Sequence, residues 1–413
     1  MRRGRKNRLS IVTKMNLPKK SKELTSRETF KKIIKSSRSN IFLLLVPVGF
    51  LVNYLNTNVI VIFVMNFLAI IPSAKLLKFA AIEFSHHFGE TIASLLYISF
   101  YNVVELIVTI IALVNGEIRV VQAAVLGSIF SHLLLVLGSC FLVGGIEYLI
   151  KEKKLEQEFD STAAQMSSSV MTLACISLVI PAAFSLLING NLSNVPVDRV
   201  DNRILYMSYG TSIVLLIIYG LYLWFKHEIE EIESEEIGEQ ISENSIEQNS
   251  ENEENRVQSL ENEESGVRKS EELRNEHKKK KPISILASLS LLIIMTAIIG
   301  FLADFLIDSI EGIVASQKIS ETFIGLILLP MVGHGAKFVA SIKTARENKM
   351  NAAIIISVGS STQTALFITP LLVILGWIIN QPMSLAFLPF ETICLFIAVI
   401  LKNYLVQMGN LIG

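Results

Sequence analysis

The sequence predicts an all-α, polytopic membrane protein of about ten transmembrane helices in two inverted repeats. Three observations predict it. Of 413 residues, 51% are hydrophobic and the mean hydropathy is +0.51, too apolar for an ordinary soluble chain. The apolar residues gather in blocks of about 20, which as helices cross the roughly 30 Å hydrocarbon core of a bilayer. The two ends of the chain also echo each other. Asn102-Val-Val-Glu105 lies 22 residues before Gly127-Ser128, and His334-Gly-Ala-Lys337 lies 22 residues before Gly359-Ser360. One offset of 232 carries the first set onto the second. Where one copy has an acid, the other has a base.

A basic stretch, residues 1–39, comes first; its first 38 positions hold fourteen Lys/Arg against Glu23 and Glu28. No short apolar core with a small-residue cleavage site comes after it, so it reads as a cytosolic tail and not as a signal peptide. The first transmembrane half, 40–226, holds spans at 40–55, 57–74, 91–114, 119–145, 166–189 and 204–225. The first of these is the shortest, and the second carries Phe67-Leu-Ala69. Residues 227–281 form an acidic cytosolic linker with eighteen glutamates among Ser, Asn and Gln, closing on four lysines. So polar a segment buries no core and reads as disordered or as an exposed helix. It is either a solvated connector or a strip that gathers cations. The second half, 282–413, holds spans at 283–308, 322–342, 351–379 and 385–405. The first of these four repeats Phe301-Leu-Ala303 at an offset of 234. In the next, Pro330, Gly333 and Gly335 interrupt the helix and free carbonyls that can coordinate an ion if they line a cavity. Gly127 and Gly359 are expected to let their helices approach closely.

Helices are required because an open strand leaves its backbone groups unsatisfied in lipid, and a barrel needs short alternating segments in place of these continuous runs. The Lys/Arg distribution sets the orientation. With the tail in the cytosol, the cytosolic loops hold Lys75 and Lys78, Lys151 to Lys154, Lys278 to Lys281, Lys343, Arg346, Lys349 and Lys402. The opposite loops hold only Arg119, Arg199, Arg203 and Lys318. An odd number of spans separates the echoes, so equivalent helices point in opposite directions. That is the plan of a transporter whose central site opens to either side in turn. The three cysteines, Cys140, Cys175 and Cys394, all fall in apolar spans and read as packing residues.

Glu105 lies mid-span with Asn102 on the same helical face. An ionisable group there is costly unless it meets a partner, water or an ion. It is a carboxyl kept protonated between helices or a working site. Ser128, Ser131 and His132 lie on the partner helix, and Ser360, Ser361, Thr362 and Gln363 occupy the equivalent place in the second half. Hydroxyl, amide and carboxylate oxygens together are what a dehydrated hard cation needs. Lys337 either snorkels to the nearby interface or belongs to the site. Between the second and third spans, Lys75 to Glu90 is an amphipathic stretch with Glu83, His86, His87 and Glu90, read as an interfacial helix. Adjacent histidines point to different faces, which argues against a shared metal. No nucleophile–base set, phosphate loop or HExxH motif points to an enzyme.

These residues resemble the cation/proton exchanger family, the vacuolar calcium/proton antiporters of fungi and plants. The resemblance runs from about residue 40 to 405 and rests on Phe67 to Pro72, Asn102 to Leu106, Val121-Gln-Ala with Leu126-Gly-Ser128, Ile180 to Phe184, Thr322 to Leu326, Gly359 to Gln363 and Pro370 to Trp377. It implies proton-coupled exchange of calcium or another cation, in a vacuolar membrane, with no resident cofactor. The implied partners are the lipid bilayer, the transported cation and proton, and family members in homo- or hetero-oligomers, with no nucleic acid. The implied cation ligands are Glu105, Asn102, Ser128, Ser360 and Gln363, and the implied proton- or charge-coupling residues are Glu105, His334, Lys337 and Glu83. The family signature is Gly-Asn-x-x-Glu in both repeats. Here Tyr101 replaces the first glycine, His334 the second asparagine and Lys337 the second glutamate. His132 stands for a family asparagine, Ile82 for one of a pair of acids beside Glu83, and the second half lacks the family's last helix. A charged Lys337 makes the pair neutral before any ion arrives. At an effective dielectric of about 20, a charge pair at 4 Å is worth about 4 kcal/mol. Exchanging attraction for repulsion thus weighs against calcium and towards a monovalent cation, or towards a scaffold that does not transport.

Overall fold

A computed structural model describes residues 42–88, 100, 102–153, 162–189, 202–247, 283–317 and 319–411. The tail expected over 1–39, Glu90, Tyr101 and residues 248–281 of the linker lie outside them. The described residues are helical with no strands. In chain order the helices are α1 (Leu45–Tyr54), α2 (Val59–Ser85), α3 (Val103–Val114), α4 (Ile118–Phe130), α5 (Leu137–Glu152), α6 (Thr162–Asn189), α7 (Asn202–Glu247), α8 (Ile285–Gln317), α9 (Leu329–Arg346), α10 (Met350–Gln363), α11 (Thr369–Ile378) and α12 (Pro389–Leu411). α4 runs into α5, and α10 into α11, through π-helical turns at Ser131–Val136 and Thr364–Ile368. A third π-turn, Ile324–Leu328, leads into α9.

Where the ten predicted spans lie among the described residues they are largely helical, although residues 91–99 and 101 of the third lie outside them and the tenth starts as helix only at Pro389; length and apolarity support fewer crossings. Seven described helices are long and apolar enough to cross a bilayer, or eight if a bent pair is one span; Phe42–Tyr54 and Val103–Val114 are shorter. The bent pair joins Glu321–Gly335 to Lys337–Arg346 at 63°, where the sequence set Gly333 and Gly335. Two boundaries move. The second span does not end at Ala74: α2 runs on to Ser85, so residues 75–85 of the stretch expected as a separate interfacial helix are the far end of a membrane helix. Pro72 does not stop it. Residues 227–247, the start of the acidic linker, continue the sixth span as one helix.

Between helices in lipid there is little hydrophobic drive, so close packing and small residues hold the bundle. α2 and α8, the helices with the Phe-Leu-Ala echo, pack along each other through fully buried Ala69, Ile70 and Leu77 against Leu302, Ala303 and Leu306. The echoed Phe301 turns outward, 57% exposed, with Leu142, Ile217, Ile293 and Ile397 on the apolar perimeter. Gly127 meets the expectation of close approach: a Cβ there would stand 2.0 Å from the backbone oxygen of Leu326. Gly325 reciprocates, since its Cβ would lie 2.7 Å from Ala123 Cβ. Gly359 does not, having nothing within 4 Å. α4 from the first half therefore crosses the lead-in to α9 from the second almost backbone to backbone.

Candidate functional site

The crossing brings the two polar sets together in the bundle interior. Asn102 is the N-cap of α3, yet its side chain makes no capping bond. Its Oδ1 accepts from Lys337 Nζ, and its Nδ2 donates to Gln363 Oε1 at 2.9 Å. Glu105, one turn on, sits where the helix dipole favours an anion. Its Oε2 lies 3.1 Å from His334 Nε2, which is also 3.2 Å from Ser128 Oγ. Ser128 Oγ reaches Thr364 Oγ1 at 3.3 Å. His132 Nδ1 bonds the Ser128 carbonyl at 2.9 Å, and its ring lies 4.1 Å from that of His334, centroid to centroid. Ser357 Oγ holds the His132 carbonyl at 2.5 Å.

The pairing has a symmetry the sequence did not display. Under the offset of 232, Asn102 maps to His334 and Glu105 to Lys337. Glu105 meets His334, and Lys337 meets Asn102. Each first-half residue thus bonds the image of its neighbour, as an approximate two-fold axis demands. The arrangement also decides how Lys337 sits. It is 3% exposed and turned into the bundle, so it does not snorkel.

Not every expected residue joins. Ser360 is buried, but its Oγ has no hydrogen-bond partner. Ser361 and Thr362 bond carbonyls of their own helix. Glu83 is engaged elsewhere: its Oε2 accepts from the Ile283 backbone N–H at 3.1 Å, and His87 Nε2 lies 2.7 Å from the Ile283 carbonyl. That end of α2 pins the start of the second half. Three residues were missed: Ser357, Thr364 and Lys78. Thr364 is the image of His132 under the same offset, a signal that was available. Lys78 was read as a loop charge, but on the continued α2 it stands near enough for its charge to act on Glu105, His334 and Lys337.

Glu105 is 8% exposed, and its Oε1 is buried without a hydrogen-bond partner. A small cleft reaches it between Thr109, Ala124, Leu329, Pro330 and Gly333. A Cβ added at Gly333 would stand 3.8 Å from the Cβ and backbone nitrogen of Glu105, so the chain runs close beside Glu105 there without needing a glycine to fit. A buried carboxylate at the foot of a cleft, where two antiparallel halves cross, can bind a cation or a proton and be reached through the bundle.

The family model described as sodium/calcium exchanger protein matches residues 58–227 and 287–411. The chain belongs to this family. A vacuolar calcium ion transporter of Schizosaccharomyces pombe is 35% identical over 387 residues, covering 92% of this chain and 81% of the relative. A Ca2+/H+ antiporter of Aphanothece halophytica is 34% identical over 368 residues, covering 89% of each chain. Among solved structures, native YfkE superposes with a TM-score of 0.64 at 26% identity, over 89% of this chain and 92% of that one. The H+/Ca2+ exchanger CAX shares the fold, with a TM-score of 0.56 at 14% identity over 92% of this chain and 82% of that one. The sodium/calcium exchanger family thus accounts for the all-helical membrane architecture, and its transporters agree with the absence of any catalytic motif in the sequence.

Proposed function

We propose that the chain is a proton-coupled cation antiporter of the vacuolar membrane, with its N-terminus in the cytosol. Glu105 alternates between cation and proton, and Asn102, Ser128, Ser360 and Gln363 supply neutral oxygens. Lys337 with His334 takes the place of the second acid. The observation that carries this reading is Glu105 itself, buried, with one oxygen unbonded, at the foot of a cleft. The names of the relatives support the exchange chemistry, and the Lys/Arg bias supports the orientation. Purified protein in vesicles with an imposed pH gradient is expected to exchange a cation, with Glu105→Gln reduced to background. Absence of exchange for calcium, manganese, zinc, sodium and potassium alike overturns the reading.

A second reading has its own observation. His334 Nε2 and Lys337 Nζ already engage Glu105 Oε2 and Asn102 Oδ1 across the two halves, which would lock a scaffold that does not transport. Lys337→Glu combined with His334→Asn separates the two. A gain of calcium uptake over a silent parent supports the scaffold, and exchange by the parent eliminates it.

A further inference from the structure

We infer that the central site is built for a borderline divalent cation that favours nitrogen donors, of the zinc or cobalt kind, over calcium or an alkali ion. This names the substrate class of the proposed Glu105 site and rests on that reading. The argument starts from hydrogen-bond roles. A backbone carbonyl only accepts, so His132 Nδ1, 2.9 Å from the Ser128 oxygen, carries the ring proton. A neutral His132 then has its lone pair on Nε2, which is buried and has no hydrogen-bond partner. With Glu105 ionised, as a cation site requires, His334 Nε2 is the donor to its carboxylate, and the lone pair falls on Nδ1, also buried and without a hydrogen-bond partner. Glu105 Oε1 is the third such atom. Two imidazole lone pairs and one carboxylate oxygen therefore stand without hydrogen-bond partners in one buried cluster whose rings are 4.1 Å apart.

Neutral imidazole suits zinc, cobalt and iron(II), whereas calcium and alkali ions need oxygen cages. Among the described residues no three such side chains are already set as a metal cage, so binding requires the two rings and Glu105 to turn towards one point. The amines of Lys78 and Lys337 repel any cation. That repulsion scales with the ion's charge, so between two divalent ions it lowers affinity without setting preference. The donors set the preference. The supports around the ring are already in place: the Ser128 carbonyl fixes the His132 tautomer, and Ser357 Oγ donates to the His132 carbonyl.

The test uses the full-length protein in detergent and equilibrium dialysis against zinc chloride or calcium chloride alone. One zinc per chain, bound at least tenfold more tightly than calcium, is expected. His132→Asn with His334→Asn should lose at least tenfold in zinc affinity and shift towards calcium, while His86→Gln with His87→Gln should not. His132→Gln alone, a milder change, guards against misfolding of the double variant and should show a smaller loss in the same direction. Zinc binding that is absent, or unchanged in the central variants, overturns the inference. Vesicle flux separates it from the broader reading. Exchange of calcium, sodium or potassium without zinc sinks the nitrogen-donor site and leaves the antiporter. Histidine-dependent zinc binding without flux of any cation keeps the site and removes the antiporter.

Discussion

At the scale of single residues, Gly127 is the tightest point of the crossing. Gly127→Ala would drive a methyl into the Leu326 carbonyl, which belongs to the backbone and has little room to yield. Overpacking of this kind costs about 1–3 kcal/mol. The thermal midpoint of the solubilised protein should fall, while Gly359→Ala, with open space around it, should stay within about 0.5 kcal/mol. Glu117 lies in the turn between α3 and α4. Burial, with Glu321, Glu311 and Asp308 nearby, pushes its carboxyl above the usual value of 4.5. The folded state therefore holds this proton more tightly than the unfolded state does. Its contribution to stability is full below about 4.5 and fades as pH rises through the raised value. Glu117→Gln should remove that slope and leave the protein more stable at neutral pH, as denaturation midpoints read across pH would show.

Among the elements, the end of α2 shows how charge can mislead. Lys75 and Lys78 looked like loop residues because lysine in lipid is costly. Lys78 is tolerated because α2 continues and carries it towards a carboxylate in the interior. Lys78→Gln removes a positive charge near Glu105 and is expected to strengthen cation binding by roughly tenfold, or about 1.4 kcal/mol. A lower half-saturating cation concentration in flux assays would show it. At the ends of α4 and α12, Arg119 pairs with Glu391 and also reaches Thr322 Oγ1 at 3.4 Å. The pair is mostly withdrawn from solvent. Glu391→Ala strands the guanidinium and should cost about 3–5 kcal/mol, whereas replacing both partners by leucine should be far milder. Chemical denaturation of the single and double variants measures the difference.

For the whole molecule, much is legible in the amino-acid sequence alone. Hydropathy blocks located the helices, and the Asn102/His334 and Glu105/Lys337 echo located the cluster, because a duplicated pattern survives even where the residues have changed. The cross-pairing of Glu105 with His334 and of Lys337 with Asn102 was not readable, since periodicity fixes faces and not partners. Nor was the number of crossings, because α3 is too short to be judged by length alone. The π-turns were hidden for a similar reason: a widened turn adds one residue without altering composition. Each half carries one directly after its polar residues, at Ser131–Val136 and at Thr364–Ile368. Tightening such a turn to ordinary winding would advance the downstream helix by about 1.5 Å and spin it by about 100°. Each half thus owns a screw thread with one spare notch, set where a single click would re-aim His132 or Thr364 and turn a new side of the helix beyond it towards its neighbours.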